Sequence, residues 1–245
     1  MTNRVDIIVP VYNERENFLV FYNYVLAQVR SEWKILVVYD FPEDSTLTTA
    51  APVAQKDPRV RLIFNPARGA LNALKTGFKK AEAEAILTAM VDDPPEVLAK
   101  IDEMNECFYR EGADLVAASR YMSGGSHTGG SFIKGLLSRL AGLSLHWLIR
   151  LPIHDATYNT RLYRRSFINS VTIESSRGFE VALELTVKAH LAGKKLREVP
   201  VEWRERTIGQ SRFKILKWLP AYLHWYWYGI KNYWLGSRPK KSLKA

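Results

Sequence analysis

A single cysteine, Cys107, occurs in 245 residues. That count excludes a disulfide framework and any zinc site built on thiolates. The Glu106-Cys107-Phe108 context lies in a helical pattern and assigns the thiol to packing. Glycine-rich phosphate loops are missing as well. The turn after the first apolar run reads VPVYNERENF, with neither Gly-x-Gly-x-x-Gly nor Gly-x-x-x-x-Gly-Lys-Ser/Thr, which argues against dinucleotide and P-loop chemistry. The opening MTNRVDIIVPVYNE is too soon interrupted for a signal peptide, so the chain is expected in the cytosol. Acidic residues are in deficit, 25 Asp and Glu against 35 Lys and Arg. That balance favours an anionic partner: nucleic acid, anionic lipid or a phosphorylated substrate. Nucleic acid fits worst, because the Trp and Tyr residues cluster in apolar helices instead of alternating with Lys and Arg.

What is present is a core and an alternation. The chain is 47% apolar and has no low-complexity linker, so it reads as one domain with an appendage. Apolar runs at Val5–Val9, Ile35–Val38, Val60–Phe64, Ala85–Val91 and Asp114–Ala118 alternate with helical periodicity, such as Ala70, Leu71, Leu74, Phe78 and Ala81. This pattern predicts an α/β fold with a mostly parallel sheet flanked by helices. Ligands of such sheets bind at the carboxyl ends of the strands. The residues there are polar: Asn13-Glu14, Asp40, Asn65, Asp92-Asp93 and Ser119-Arg120.

Residues 89–98, AMVDDPPEVL, place two carboxylates ahead of a Pro-Glu helix start. If the strand extends to Val91, Asp92 and Asp93 are candidate catalytic residues and ligands of a hard divalent cation. The alternative is that Asp93 is the N-cap of a helix beginning at Pro94.

VDIIVPVYNERENF, VVYDFPEDST, NPARGALNALKTGF, VDDPPEVL, ASRYMSGG, DATYNTRLYRRS and GFEVALELTVKAHLAGKKLREVPVEWRERTIGQS resemble, in order, the landmarks of family-2 glycosyltransferases, in the branch of the dolichol-phosphate mannose synthase-like enzymes. The resemblance implies a GT-A-like domain over residues 1–212. It also implies inverting transfer of a sugar from a UDP- or GDP-linked donor to a polyprenyl phosphate. By the same resemblance, Pro10, Tyr12, Glu14, Asp40, Arg68 and Gly69 bind the donor, Asp40 through its base. Arg120, Lys134, Ser138, Glu184, Arg206 and Ser211 hold the acceptor, with Glu180, Gly209 and Arg212 beside them. Glu180 and Glu184 share a helix face, which reads equally as a solvated face.

The chain departs from the family at the metal. The usual Asp-x-Asp pair, aligned on Pro-Glu without a gap, falls on Thr88-Ala89-Met90. Mg²⁺ or Mn²⁺ must then rely on Asp92, with Asp93 and the donor diphosphate. An acceptor phosphate is already an anion and needs only cations; a hydroxyl acceptor needs a base, for which Asp155 is the candidate. That hydroxyl-acceptor enzyme, glycosylating a lipid-linked glycan, is one rival reading, and a catalytically silent relative is the other.

Residues 131–151 carry Ile133, Leu136, Leu137, Leu140, Leu143 and Trp147 on one helical stripe, broken by Lys134, Arg139, His146 and Arg150. Residues 213–235 hold Trp218, Trp225, Trp227, Tyr228 and Trp234 among Lys214, Lys217, Pro220 and Lys231, and the stretch 213–245 ends in SRPKKSLKA. Both read as interfacial helices on an anionic membrane surface, peripheral and on its cytoplasmic side, rather than as spans. Packing on the domain or in a homodimer is the alternative.

Overall fold

The computed structural model describes residues 3–130, 132–204 and 215–236. Its elements are β1 (Val5–Pro10), α1 (Arg15–Gln28), β2 (Trp33–Tyr39), α2 (Leu47–Lys56), β3 (Val60–Phe64), α3 (Ala70–Lys80), β4 (Ala85–Thr88), α4 (Pro95–Leu98), α5 (Ile101–Glu111), β5 (Leu115–Ser119), β6 (Ser126–Thr128), α6 (Phe132–Leu148), β7 (Arg161–Arg164), α7 (Arg165–Ser170), α8 (Val181–Leu191), β8 (Leu196–Pro200), β9 (Glu202–Arg204) and α9 (Ile215–Leu235). Seven strands form one sheet in the order β3-β2-β1-β4-β7-β5-β8. β7 runs antiparallel between β4 and β5, and the other pairings are parallel. β6 and β9 make a separate parallel ribbon.

β1 is buried almost throughout and reads as a continuous apolar run, as a central parallel strand must. Alternate residues point to opposite faces. Ile7 and Val9 enter a core with Phe18, Phe21, Val37 and Leu87; Ile8 enters the other with Leu74, Phe78 and Leu183. Buried Asp6 accepts at Oδ2 from the distant backbone N–H groups of Glu82 and Ala83 at 2.6 and 2.8 Å, and its Oδ1 lies 3.2 Å from Arg4 Nε.

The expected fourth strand ends early. β4 stops at Thr88, because the Met90 N–H turns to the Asp93 carboxylate at 2.9 Å and the Asp93 N–H returns to the Met90 carbonyl at 3.0 Å. This closed turn takes the groups that a longer strand would offer to its neighbours. Thr88-Ala89-Met90 therefore occupies the strand end, and Asp92 and Asp93 lie beyond it. Pro94, not Asp93, is the N-cap of α4.

The two interfacial candidates are helices with one face on the domain. On α6, Gly142 and Leu145 are buried, as is Ile149 just past its end, and a methyl group at Gly142 would lie 2.1 Å from the His154 carbonyl oxygen. On α9, Trp225 is buried and Gly229 lies against Val187 and Ile149. Of the apolar stripe read from the sequence, Ile133, Leu136 and Trp147 are exposed, while Leu137 and Leu140 line a cleft.

Candidate active site

The residues expected from the sequence to take the donor come together where the loops after β1, β2 and β3 meet. Asn13 has a positive φ of 55°, and its N–H donates to Asp44 at 3.0 Å while its side-chain oxygen accepts from the Ser45 N–H at 3.0 Å. The Glu14 N–H donates to Thr46 Oγ1 at 2.9 Å. Buried Asp44 also accepts from the Thr46 N–H at 2.8 Å. These contacts fix Pro10 at the end of β1 and leave Tyr12 exposed, edge-on to Phe41 at 5.4 Å. Glu14 itself accepts from Asn17 at 2.6 Å.

Asp40 is buried beneath the start of α3. One oxygen accepts from Asn65 Nδ2 at 2.7 Å, and the other from the Gly69 N–H at 2.7 Å. The expected base-binding carboxylate is thus also the anchor of the Arg68-Gly69 turn, both of whose residues have positive φ. Arg68 is exposed at this corner, beside the helix N-terminus where a diphosphate is favoured.

At the end of β4 the fit to a divalent cation is narrow. Thr88 gives its hydroxyl to the carbonyls of Asn159 and Arg161 at 2.6 and 3.2 Å, and Met90 offers no hard ligand. Asp93 is buried, and its oxygens accept from Tyr158 Oη and Thr160 Oγ1, each at 2.5 Å, besides the Met90 N–H. Burial pushes its pKa up to about 6, with the Asp92 charge adding, against the hydrogen bonds from Thr160 and Tyr158. The expected ligand role of Asp93 thus meets a buried carboxylate with three of its four lone-pair sites engaged inside the fold. Half-buried Asp92 remains, and no group of three or more His, Cys, Asp or Glu side chains converges among the described residues. The chain fits a cation carried by one carboxylate and the donor's own phosphates, a mode Mg²⁺ accepts, and does not fit a carboxylate pair.

A second cluster, expected from the sequence to take the acceptor, is built on Arg120, just past β5. Its Nε donates to Asp155 at 2.7 Å, and its Nη2 donates to Asp155, Ser138 and Thr157 at 3.1, 3.0 and 3.2 Å. Nη1 makes no hydrogen bond among the described residues. Tyr121 donates to Ser138 at 2.9 Å, and the guanidinium lies 4.9 and 4.8 Å from the Tyr121 and Tyr158 ring centroids. Burial opposes both charges of the pair, yet mutual attraction leaves the Asp155 pKa lowered and the Arg120 pKa raised. Asp155 also accepts the N–H groups of Thr157 and Tyr158, each at 3.2 Å. It is fully buried, so it orients Arg120 and is not placed to take a proton from an acceptor.

A cleft of about 540 Å³ opens from this cluster. Arg120, Ser138 and Thr157 stand at its polar end, and Leu137, Leu140, Leu183, Leu223 and Tyr226 line its apolar length between α6, α8 and α9. Glu184 is not part of that lining. It is buried and accepts from the N–H groups of Glu174 and Ser175 at 2.6 and 2.8 Å and from Lys188 at 2.7 Å. Glu180 likewise collects the N–H groups of Ser176, Arg177 and Gly178. The two are neither a solvated face nor acceptor contacts; they shape the 174–178 loop, which sets Gly178 against Ala70 and Leu71.

Lys134 lies in α6, but its side chain is outside the described residues, as are Arg206, Gly209, Ser211 and Arg212. Residues the sequence reading passed over include Asp44, Thr46, Thr157, Tyr158 and Arg161. Buried Arg161 donates to the carbonyls of Tyr158 and Asp155 at 2.6 Å each and holds the turn that carries the Arg120 partner. An arginine amid the inward positions of an apolar strand was its only signal.

Residues 6–172 match the profile of glycosyl transferase family 2. Polyprenol monophosphomannose synthase of Mycolicibacterium smegmatis is 30% identical over 236 residues, covering 89% of this chain and 87% of that protein. Dolichol-phosphate mannosyltransferase of Pyrococcus furiosus is 28% identical over 86% of this chain, which spans only 59% of that protein. Among solved structures, glucosyl-3-phosphoglycerate synthase of Mycobacterium tuberculosis, in complex with Mn²⁺, uridine diphosphate and glucosyl-3-phosphoglycerate, superposes with a TM-score of 0.65 at 14% identity, over 94% of this chain and 79% of that one. The shared architecture is the GT-A-like fold that the sequence implied.

Proposed function

The chain belongs to glycosyl transferase family 2 and is a glycosyltransferase; on that premise we propose that it moves a sugar, with inversion, from a nucleotide-diphosphate donor to a polyprenyl phosphate at a membrane surface. The observation that carries this reading is the join of one oriented cation to an apolar cleft: Arg120, locked by Asp155, with Leu137, Leu140, Leu183 and Leu223 behind it. A phosphate with an isoprenoid tail matches both ends. The names of the curated relatives, polyprenol and dolichol phosphate enzymes, support the same acceptor class.

In this mechanism Arg120 Nη1 and the hydroxyls of Ser138 and Thr157 hold the acceptor phosphate by charge-assisted hydrogen bonds. The phosphate attacks as the anion, so no base is required. Arg68 and the N-terminus of α3 favour the donor diphosphate. A divalent cation at Asp92 would add charge to the departing nucleoside diphosphate. The apolar cleft keeps water from competing with the acceptor. The hydroxyl-acceptor alternative loses its base, because Asp155 is spent on Arg120.

The test is product analysis by mass spectrometry from purified protein, UDP- and GDP-linked sugars and a polyprenyl phosphate. A glycosyl-phosphoryl lipid is the expected product. Ser138→Ala should raise the acceptor KM several-fold, given about 0.5–1.5 kcal/mol for one such hydrogen bond, and leave the donor constant unchanged. Transfer to a free sugar hydroxyl with none to the lipid phosphate overturns the proposal; absence of any donor binding selects the catalytically silent relative.

A further inference from the structure

The Arg120 cluster is linked through Tyr158, which lines the same cleft, to the loop after β4. Tyr158 places its ring 4.8 Å from the Arg120 guanidinium. Its hydroxyl donates to Asp93 Oδ1 at 2.5 Å. Asp93 Oδ2 in turn accepts from Thr160 Oγ1 at 2.5 Å and from the Met90 N–H at 2.9 Å. The loop after β4, on the donor side, is thereby tied through one carboxylate and one ring to the cation on the acceptor side.

We infer that Asp93 is a positioning residue, which acts through Tyr158 to hold Arg120 with Nη1 turned toward the cleft. The inference rests on the acceptor reading above. Its physical basis is that a guanidinium with in-plane hydrogen bonds to Asp155, Ser138 and Thr157 has its edges fixed but is free to tilt out of plane. A ring face at this distance attracts the cation and limits the tilt. The ring can limit tilt only if it is itself fixed. Tyr158 is fixed at its backbone by N–H donation to Asp155 at 3.2 Å and by Arg161 on its carbonyl at 2.6 Å. At its far end its hydroxyl donates to Asp93, with the Thr160 hydroxyl beside it. Thr160 and Met90 hold that carboxylate from two further directions, so the anchor is rigid. This role also accounts for a buried carboxylate engaged inside the fold.

The experiment measures binding of a short isoprenyl phosphate, geranylgeranyl phosphate, by calorimetry, together with donor binding and thermal stability, in Asp93→Ala, Asp93→Asn, Tyr158→Phe and the Asp93→Ala/Tyr158→Phe double variant. Asp93→Ala and Tyr158→Phe should each weaken the isoprenyl phosphate about tenfold, the scale of one lost orienting contact, with the donor constant within twofold of wild type. Asp93→Asn retains an oxygen that accepts from Tyr158 and should recover most of the loss. In the Tyr158→Phe background Asp93→Ala should add nothing further, since the path through the ring is already cut. Additive losses, or an unchanged isoprenyl phosphate constant in both single variants, overturn the inference. So does loss of the Mg²⁺ dependence of donor binding in Asp93→Ala, which would make Asp93 a cation ligand. Matched losses of donor and acceptor binding in proportion to melting temperature overturn it too, as a structural role alone would give them. If wild type binds the isoprenyl phosphate but transfers no sugar to it, the proposed reaction fails while the positioning role is still read from the binding constants; if it does not bind, both fail.

Discussion

Asp155 shows how a residue legible by type changes meaning with its partner. As a lone carboxylate it reads as a general base, and as the buried counter-ion of Arg120 it reads as a clamp. Asp155→Asn separates the two. A base removed costs turnover at unchanged stability, whereas a clamp removed leaves the Arg120 charge buried beside a neutral amide, at a cost on the order of 3 kcal/mol. Urea unfolding should show that loss, and the acceptor KM should rise with it; intact stability with abolished kcat would restore the base. The sequence named Arg120, Ser138 and Asp155 separately, and they do meet. It did not reach Thr157, Tyr158 or Asp44, whose partners lie tens of residues away, as with Tyr158 and Asp93 at a separation of 65. No local pattern encodes such a pairing.

At the scale of elements, the parallel half of the sheet was readable from apolar runs, because buried parallel strands require them. β7 was not. Its four residues, RLYR, include two arginines, and its place between β4 and β5 depends on both neighbours. Local satisfaction also decided where elements end. Asp93 closes the turn after β4, and Asp57 does the corresponding work after α2. The Asp57 carboxylate accepts from Arg59 Nε and Nη2 at 2.9 and 2.7 Å and from Tyr22 at 3.0 Å, which ties α1 to the entry of β3. The Arg59 hydrogen bonds, above all, hold its pKa down to about 2. A carboxylate depressed in the folded state stabilises above its unfolded pKa and loses that contribution as pH falls through the folded value. The stability gap between wild type and Asp57→Asn should therefore be constant from neutral pH to about 4 and close toward pH 2. Chemical denaturation across that range measures it; a gap independent of pH would remove the ion pair from the fold's stability.

Across the whole molecule, exposed apolar surface gathers on one pair of helices. The chain carries a net charge of +10. No helix among the described residues is long and apolar enough to cross a membrane. Yet α6 exposes Phe132, Ile133, Leu136, Leu140 and Trp147, the last at 79%, and α9 exposes Leu223, Trp227 and Trp234. On α9 the exposed Trp227 and Trp234 alternate with the inward Trp225 and Gly229, while Tyr222, Leu223 and Tyr226 line the cleft. α6 and α9 touch, with Tyr226 donating to Ser144 at 3.0 Å, so their outer faces belong to adjoining surfaces beside the mouth of the cleft. A lipid acceptor with its tail in a bilayer could reach Arg120 only if that mouth faces the headgroups. Tryptophan favours that zone, and each Lys or Arg near an anionic leaflet adds about 1 kcal/mol. The expected outcome is flotation with vesicles containing anionic lipid, weakened by high salt without detergent because the charge contribution is screened. Trp147→Ala/Trp227→Ala should reduce flotation at every salt concentration while soluble donor binding persists, since neither residue lines the cleft. Equal binding to neutral and anionic vesicles would assign the attachment to the apolar faces alone. No flotation, or a double variant that floats as wild type does, would turn those faces away from the membrane and leave the acceptor without a route to Arg120.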